Sequence, residues 1–315
     1  MKYFVTGGAG FIGSHLCERL ISDAAQVVCI DNLDDFYDPR RKRQNLAQLM
    51  GHPSFSFVEG DIRDGACLDD LFEKHAFDAV IHLAAKAGVR PSILDPFSYI
   101  DVNVRGTAQV LETMRRHKVQ QLIFASSSSV YGNGAKVPFS EEGEVGLPIS
   151  PYAATKRSGE LLCHAYHHLY GLNVACLRFF TVYGPRQRPD LAIHKFTQLA
   201  LRDEAIPLYG DGQTRRDYTF VEDIVTGIVY ALQKKDWGFD ILNLGCGAPV
   251  TLLEMVQALE KALNKPLRIQ YLDKQPGDVE QTHADIEKAK RLLGYAPTVH
   301  LQEGVARFLK QLEND

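Results

Sequence analysis

The sequence predicts an α/β fold of the Rossmann type, a doubly wound parallel sheet with a smaller α/β C-terminal substrate-binding domain. Three observations favour this class. The chain opens with an apolar strand, Tyr3 to Val5, that leads into the glycine-rich turn 7–13 (GGAGFIG). An amphipathic helical segment follows, and a second apolar strand, Val27 to Ile30, ends at Asp31. Further strands rich in Val, Ile and Phe then alternate with helical segments, as in parallel sheets that are covered on both faces.

The glycine-rich turn is typical of a dinucleotide-binding site. Gly7 and Gly10 let the backbone approach a pyrophosphate, whose charge is stabilised by the N–H groups and positive dipole end of the following helix. Gly13 permits close packing of helix on strand. Asp31 ends the second strand, where its carboxylate would accept hydrogen bonds from the adenosine ribose and repel a 2′-phosphate. The sequence therefore predicts NAD as cofactor, and the basic segment 40–43 is interpreted as a solvated helix start.

The composition is that of an ordinary globular protein, with 45% hydrophobic and 23% charged residues in a chain of 315. This length predicts one large domain or two joined domains. A net charge of −4 provides no signal for binding nucleic acid or an anionic membrane surface. No apolar run is long enough to span a bilayer, and no signal peptide fits before the glycine turn, so a cytoplasmic location is expected.

The spacing of cysteines and histidines predicts no metal site. The six cysteines occur singly in apolar stretches without a CxxC pattern, which is typical of buried free thiols in a reducing compartment. His164, His167 and His168 lie on a predicted helix, but neither an HExxH motif nor a partnering acid accompanies them. We interpret these histidines as a solvated or interface face.

Two strand ends carry residues suited to the cofactor, because ligands of parallel sheets gather at the carboxyl ends of the strands. The strand Phe55 to Val58 is followed by Asp61, which either meets the adenine amino group or is a simple turn aspartate. The strand Ala79 to Leu83 is followed by Ala84-Ala85-Lys86. The small side chains there leave space for a phosphate or ribose.

A tyrosine and a lysine downstream form the predicted chemical centre. The serine run 126–129 follows a buried-type strand and is interpreted as a hydroxyl-lined pocket wall. Ser150 is a natural N-cap for a helix that starts at Pro151. Tyr152 and Lys156 are four residues apart and share a face of that helix. Such a pair is often only structural, but the glycine turn and the serines upstream favour catalysis here.

The tyrosine must be made acidic to act as a base near neutral pH. Lowering a phenol pKa from about 10 by about 3 units requires roughly 4 kcal/mol of differential stabilisation. The Lys156 ammonium and a positively charged nicotinamide ring could supply it together. Tyr152 would then take a proton from a sugar hydroxyl as hydride leaves the carbon, while a serine hydroxyl steadies the same oxygen.

Arginine-rich loops follow the predicted cofactor-binding half. The segment 181–190 contains Gly-Pro-Arg-Gln-Arg-Pro-Asp beyond a strand end, where arginines are placed to meet an anion. We predict a Rossmann domain over 1–180, with 217–247 returning to it. The segments 181–216 and 248–315 are predicted to form the substrate-binding domain.

Taken in order, the motifs resemble the extended short-chain dehydrogenase/reductase family of nucleotide-sugar enzymes over essentially the whole chain. They are GGAGFIG, Asp31-Asn32, Gly60-Asp61-Ile62, HLAA at 82–85, the serine run, Tyr152-x-x-x-Lys156 and Arg216-Asp217-Tyr218. The resemblance implies a tightly held NAD and a UDP-sugar bound across the C-terminal part. It also implies a homodimer joined through a four-helix bundle of helices 96–117 and 151–170.

Within that family, local residues are similar to those of UDP-glucuronate 4-epimerases. Sugar dehydratases carry Thr-Asp-Glu where this chain has Ser127, Ser128 and Ser129, so the resemblance disfavours dehydration. It implies that Arg188 holds the sugar carboxylate and that Arg216 binds the diphosphate. Gln275 stands where UDP-galactose epimerases often place another arginine, which implies a different phosphate contact there.

The resemblance thus implies inversion at C4 of UDP-glucuronate to give UDP-galacturonate through a 4-keto intermediate. The alternatives are a UDP-glucose/UDP-galactose 4-epimerase, a UDP-glucuronate decarboxylase and a non-catalytic NAD-sensing protein. The expected catalytic residues are Tyr152, Lys156 and Ser127. The expected cofactor-binding residues are Gly7, Gly10, Phe11, Ile12, Gly13, Asp31, Asn32, Asp61, Ile62, Leu83, Ala84, Ala85, Lys86, Asn103, Tyr152 and Lys156. The expected substrate-binding residues are Arg90, Ser127, Ser128, Ser129, Thr181, Arg188, Lys195, Arg216 and Asp278.

Overall fold

The computed structural model describes residues 1–143, 145–273 and 280–312. Within them the strands are β1 (Lys2–Thr6), β2 (Gln26–Asp31), β3 (Phe55–Glu59), β4 (Ala79–His82), β5 (Gln121–Ser127), β6 (Asn173–Phe179), β7 (Thr181–Tyr183), β8 (Ile206–Tyr209), β9 (Arg215–Arg216), β10 (Tyr218–Phe220), β11 (Phe239–Leu244), β12 (Val250–Thr251) and β13 (Ile269–Leu272). The helices are α1 (Phe11–Ser22), α2 (Pro39–Asn45), α3 (Gly65–Lys74), α4 (Val89–Leu94), α5 (Pro96–Ile100), α6 (Gly106–Arg116), α7 (Pro151–Tyr170), α8 (Ala192–Leu201), α9 (Val221–Gln233), α10 (Leu252–Leu263), α11 (Glu287–Leu293) and α12 (Leu301–Leu312).

A seven-stranded parallel sheet forms the centre of the fold, in the order β11-β6-β5-β4-β1-β2-β3. The predicted Rossmann class is therefore confirmed. The strand order reverses between β1 and β4, where a crevice opens at the carboxyl ends of the strands. The register brings those ends to one edge, since Thr6 pairs with both Ile30 and His82.

The sheet is buried on both faces, as its continuous apolar strands predict. Successive residues of one strand enter opposite cores. Val5 packs in the core that contains α1 and α9, whereas Phe4 packs with α3 and α6 on the other face. This arrangement holds the strand ends in fixed positions around the crevice.

A third core lies in the C-terminal part of the chain, with side chains from α8, α10, α12, β8 and β13. The strand β11 pairs with β6 in the central sheet. Helix α11 also packs near that sheet, because Ala289 belongs to the core that contains α1 and α9. The predicted division into two domains stays a prediction.

The predicted helix over 96–117 is observed as α5 and α6, joined by a π-helical turn at Asp101–Arg105. Helix α7 begins at Pro151 as predicted, and the Ala153 N–H donates to the Ser150 side chain at 3.1 Å. Among the described residues, no helix combines the length and apolar character needed to cross a membrane.

Candidate active site

A cleft of about 500 Å³ opens at the carboxyl edge of the sheet. It brings together most of the predicted site residues. Those that line it are Gly7, Gly10, Phe11, Ile12, Gly13, Asp31, Asn32, Asp61, Ile62, Leu83, Ala84, Ala85, Lys86, Ser127, Ser128, Ser129, Tyr152, Lys156, Thr181 and Arg188. They come from the ends of the strands and from the loops beyond them, so the fold itself assembles the site.

The glycine-rich turn leaves bare backbone facing the cleft. A Cβ on Gly13 would lie 2.3 Å from the Gly7 carbonyl oxygen, and one on Gly7 would lie 2.7 Å from the Ala84 nitrogen. Gly7 also has φ +71°, a conformation that favours glycine. The first turn of α1 follows Gly10, which provides no capping side chain. The backbone N–H groups of that turn are placed to donate hydrogen bonds to a pyrophosphate.

A buried network behind this turn fixes the ends of β1 and β4. The Thr6 hydroxyl lies 2.7 Å from His82 Nδ1 and accepts a hydrogen bond from the Ala84 N–H at 3.1 Å. The other ring nitrogen of His82 contacts the Thr107 hydroxyl at 3.0 Å. Burial lowers the pKa of His82 to about 3, so the ring is neutral. The sequence analysis did not identify this network.

Asp31 lines the cleft at the end of β2. Its carboxylate accepts hydrogen bonds from the N–H groups of Ala9 at 3.1 Å and Leu33 at 2.9 Å. Burial raises the pKa of Asp31, and these two bonds oppose the shift. Each carboxylate oxygen retains a second lone pair. These two acceptor positions therefore fit the two hydroxyl donors of a ribose.

Asp61 is already engaged by protein groups. Its two oxygens accept bonds from the Arg63 N–H and guanidinium at 2.7 to 2.9 Å, and from the Asn32 amide at 3.0 Å. These bonds hold the pKa of Asp61 at about 2, with Arg63 as the main cause. A contact with an adenine amino group would require one of these bonds to exchange.

Tyr152 and Lys156 lie on α7 beside the serine run, and both line the cleft. Lys156 is buried, and its ammonium donates to the Ala125 carbonyl oxygen at 2.8 Å. Ser127 lies close enough to Tyr152 to lower the pKa of its phenol. The Ser127 hydroxyl also lies 3.2 Å from that of Ser129. The predicted phenol, ammonium and hydroxyl are thus within one small region.

Burial and neighbouring groups shift the pKa of Tyr152 in opposite directions. Burial raises its pKa above the ordinary value, while Ser127 and the positive charge of Arg188 act in the opposite direction. Burial lowers the pKa of Lys156 to about 8. Arg188 thus contributes positive charge that favours the phenolate, and the Lys156 ammonium is held by the Ala125 carbonyl oxygen.

The loop that carries Arg188 is fastened to the first helix of the Rossmann fold. On α1, Glu18 accepts a hydrogen bond from Arg186 at 2.6 Å, and His15 Nε2 lies 3.0 Å from the Pro185 carbonyl oxygen. Arg188 itself donates to the Ala87 carbonyl oxygen at 3.1 Å. Sequence reasoning missed His15 and Glu18, because their partners lie about 170 residues away.

Several predicted residues lie outside the lining of the cleft. Asn103 is buried in the π-helical turn, where its amide bonds to the Lys86 backbone at 2.8 and 2.9 Å and to Thr155 at 3.0 Å. It thus supports the Lys86 loop and helix α7 from behind. Arg90, Lys195 and Arg216 also lie outside that lining. Asp278 and Gln275 lie outside the described residues.

Tyr99 and Phe36 are among the aromatic residues of the cleft that were not predicted. The Tyr99 ring lies edge-on to Tyr152, with centroids 6.2 Å apart, and its hydroxyl donates to the Ala87 carbonyl oxygen at 3.0 Å. The Phe36 ring lies beneath the Arg188 guanidinium at 5.1 Å. Both residues occupy loops or short helices without a local motif, so only the three-dimensional structure reveals them.

The Rossmann sheet, the glycine turn and the Tyr152–Lys156 pair define an extended short-chain dehydrogenase/reductase. Residues 4–308 match the family model described as GDP-mannose 4,6 dehydratase, and the chain belongs to this family.

Among similar proteins is a UDP-glucuronate 4-epimerase of Thermodesulfobacterium geofontis, which is 42% identical over 97% of this chain and 94% of its own. A crystal structure of UDP-glucuronic acid 4-epimerase from Bacillus cereus with UDP-glucuronic acid and NAD is 39% identical. It has a TM-score of 0.94 and covers 100% of this chain and 99% of that one. A UDP-glucose 4-epimerase from Thermotoga maritima with UDP-glucose is 34% identical, with a TM-score of 0.92 and coverage of 100% and 99%.

Proposed function

We propose that this chain is an NAD-dependent enzyme that inverts C4 of UDP-glucuronate to give UDP-galacturonate, reversibly. The observation that carries the proposal is Arg188, a guanidinium that lines the same cleft as Tyr152 and influences its pKa. A cation beside the reacting hydroxyl suits a sugar with a carboxylate at the neighbouring carbon. The relatives named as UDP-glucuronate 4-epimerases support this substrate.

The glycine turn, Asp31 and the strand-end residues 83–86 would hold NAD, and the bare backbone of the turn fits a pyrophosphate. When bound, NAD supplies a reversible acceptor for hydride from C4. Tyr152 takes the proton of the 4-hydroxyl and later returns it, while Ser127 donates a hydrogen bond to the same sugar oxygen. Lys156 anchors this end of α7 through Ala125 and contributes positive charge below pH about 8.

Inversion requires that the 4-keto sugar can present either face of its ketone to the returning hydride. This intermediate is also a β-keto acid. It would lose carbon dioxide if its carboxylate stood perpendicular to the ketone. Arg188, Thr181 and the serine hydroxyls would hold the carboxylate charged and away from that geometry. Each charge-assisted bond contributes roughly 1.5–3 kcal/mol, which corresponds to about ten- to hundredfold control.

The diphosphate and uridine would bind across the C-terminal part, with Arg90, Lys195, Arg216 and Asp278 as proposed contacts. The guanidinium carbon of Arg90 lies 5.0 Å from the centroid of the Tyr209 ring. This contact connects helix α4 with strand β8. A substrate bound here would thus contact both parts of the chain. We accordingly retain residues 181–216 and 248–315 as the proposed substrate-binding part.

Purified protein supplied with UDP-glucuronate is expected to produce UDP-galacturonate at constant NAD, as resolved by chromatography of the nucleotide sugars. A UDP-pentose as the main product would instead identify a decarboxylase. Faster conversion of UDP-glucose to UDP-galactose would identify the neutral-sugar epimerase. Either result would contradict the proposal.

Replacing Arg188 by Ala is expected to raise KM for UDP-glucuronate about ten- to hundredfold, because one charge-assisted contact to the carboxylate is lost. The dissociation constant of UDP should change little, since UDP carries no carboxylate. Steady-state kinetics and calorimetry measure the two quantities. An unchanged KM would remove the carboxylate role from Arg188.

We further propose a homodimer through helices 96–117 and 151–170. Large apolar side chains are exposed on this side, with Leu94 at 87%, Phe97 at 82% and Leu161 at 57% exposure. Such a patch on neighbouring helices suits a second copy of the chain.

Light scattering is expected to give twice the chain mass of 35.2 kDa. Substituting Phe97 and Leu161 by Ser should yield monomer, whereas Leu147→Ser, at an equally exposed loop site, should not.

A further inference from the structure

Arg188 is paired with a carboxylate of its own loop. Its Nε donates to Asp190 Oδ1 at 2.9 Å and its Nη2 to Asp190 Oδ2 at 2.6 Å. This two-bond contact uses the edge of the guanidinium that best matches a carboxylate. With the bond to the Ala87 carbonyl oxygen, these contacts occupy three of the five N–H donors.

The two partners of this pair differ in how firmly they are held. The Arg188 side chain is 16% exposed, stacks on the Phe36 ring and bonds to Ala87. The Asp190 side chain is 35% exposed, so water is available to it where it stands. A carboxylate at this exposure can leave for solvent at small cost, whereas the guanidinium stays in place.

We propose that Asp190 is a competing internal carboxylate that occupies Arg188 between turnovers and exchanges with the uronate of the substrate. This inference rests on the proposed function. The incoming carboxylate carries the same charge and the same two acceptor oxygens as Asp190, so it can replace the aspartate on the guanidinium edge. Asp190 then rotates into solvent, and it returns when the product leaves.

Exchange of Asp190 with the uronate allows Arg188 both to bind the carboxylate of the substrate and to release that of the product. Without Asp190, the free enzyme would hold a largely buried guanidinium with no carboxylate partner, and both uronates would bind more tightly. A neutral sugar has no group that can displace the aspartate. Asp190 is therefore a positioning residue that acts through Arg188 and sets the affinity for the carboxylate.

A purely structural role of Asp190 predicts the opposite change in the affinity for UDP-glucuronate. If Asp190 only orients Arg188, its replacement should weaken binding of UDP-glucuronate. If it competes, replacement by Asn should tighten binding, because the amide keeps the shape but loses the charge. The Asp190 carboxylate is part-exposed, so water screens the pair, and a contribution of up to about 1 kcal/mol corresponds to about a three- to fivefold change.

The test is calorimetric titration of UDP-glucuronate into Tyr152→Phe protein, with and without Asp190→Asn. The Tyr152→Phe background prevents turnover during the titration. Asp190→Asn is expected to lower the dissociation constant of UDP-glucuronate about three- to fivefold and to leave that of UDP unchanged. Asp190→Glu restores a carboxylate and is expected to return the dissociation constant toward the original value. Asp236→Asn, which removes the same charge from an exposed site, controls for net charge.

Weaker or unchanged binding of UDP-glucuronate to Asp190→Asn would overturn the exchange. So would an equal tightening of UDP, since UDP has no carboxylate. If the unaltered enzyme interconverts the two uronates but Asp190→Asn shows no tightening, only the exchange fails. If the unaltered enzyme has no activity on either uronate, the proposed function fails and the exchange falls with it.

Discussion

Replacement of Tyr152 by Phe is expected to lower kcat with UDP-glucuronate about thousandfold. The hydroxyl is the group that would accept and return the proton of the 4-hydroxyl, and positioned acid–base groups contribute about 10²- to 10⁴-fold. The ring of phenylalanine fills the same space, so the affinities for NAD and for UDP-glucuronate should change little. Steady-state kinetics and calorimetric titration separate the two effects.

Tyr99→Phe is the matched control, because Tyr99 lies in the same cleft and its hydroxyl is bonded to the Ala87 carbonyl oxygen. Its loss is expected to cost less than about tenfold in kcat, as a positioning contact would. Tyr152→Phe protein with more than a tenth of the original kcat would show that another group transfers the proton.

The dinucleotide-binding half of the site was predictable because its signals are local. The glycine turn, Asp31 and the residues 83–86 each lie at the end of a strand, and parallel strands place their ends at one edge. The sequence also placed Tyr152 and Lys156 on one helix face. These expectations depend only on the spacing of apolar residues in helices and strands. The continuous apolar strands make that spacing easy to recognise.

Other features depend on tertiary contacts and could not be predicted. The structure adds that the Lys156 ammonium bonds to the Ala125 carbonyl oxygen and that the charge of Arg188 also favours a lower pKa of Tyr152. Asn103 lies in the π-helical turn and bonds to the Lys86 backbone, and its contact with the cofactor stays a prediction. A π-helical turn has no composition that marks it in the sequence.

Glu160 illustrates a residue that the sequence analysis missed although its spacing offered a signal. It follows Lys156 by four residues on α7 and therefore lies on the same face. It is 1% exposed and accepts bonds from Arg178 at 2.8 and 2.9 Å and from Ser126 at 2.6 Å. Burial alone would raise the pKa of Glu160, but the bonds to Arg178 and Ser126 hold it below its ordinary value.

Glu160→Ala is expected to lower the free energy of unfolding by about 3–5 kcal/mol, measured by urea denaturation. The substitution leaves Arg178, which is also 1% exposed, as a buried cation without its carboxylate. Loss of the bond to Ser126 should also loosen the end of β5 beside Ser127. We therefore expect kcat to fall further than KM rises.

Two comparisons separate the buried pair from ordinary surface charge. Asp70→Ala removes a carboxylate that pairs with Lys74 at the surface of α3, and it is expected to cost less than about 1 kcal/mol. The double substitution of Glu160 and Arg178 by Met should recover much of the stability, because no fully buried charge is then left unpaired and Arg157, the other partner of Glu160, is part-exposed. If Glu160→Ala cost no more than Asp70→Ala, the pair would not hold α7 against β5 and β6. The position of Tyr152 would then depend on the packing of α7 alone.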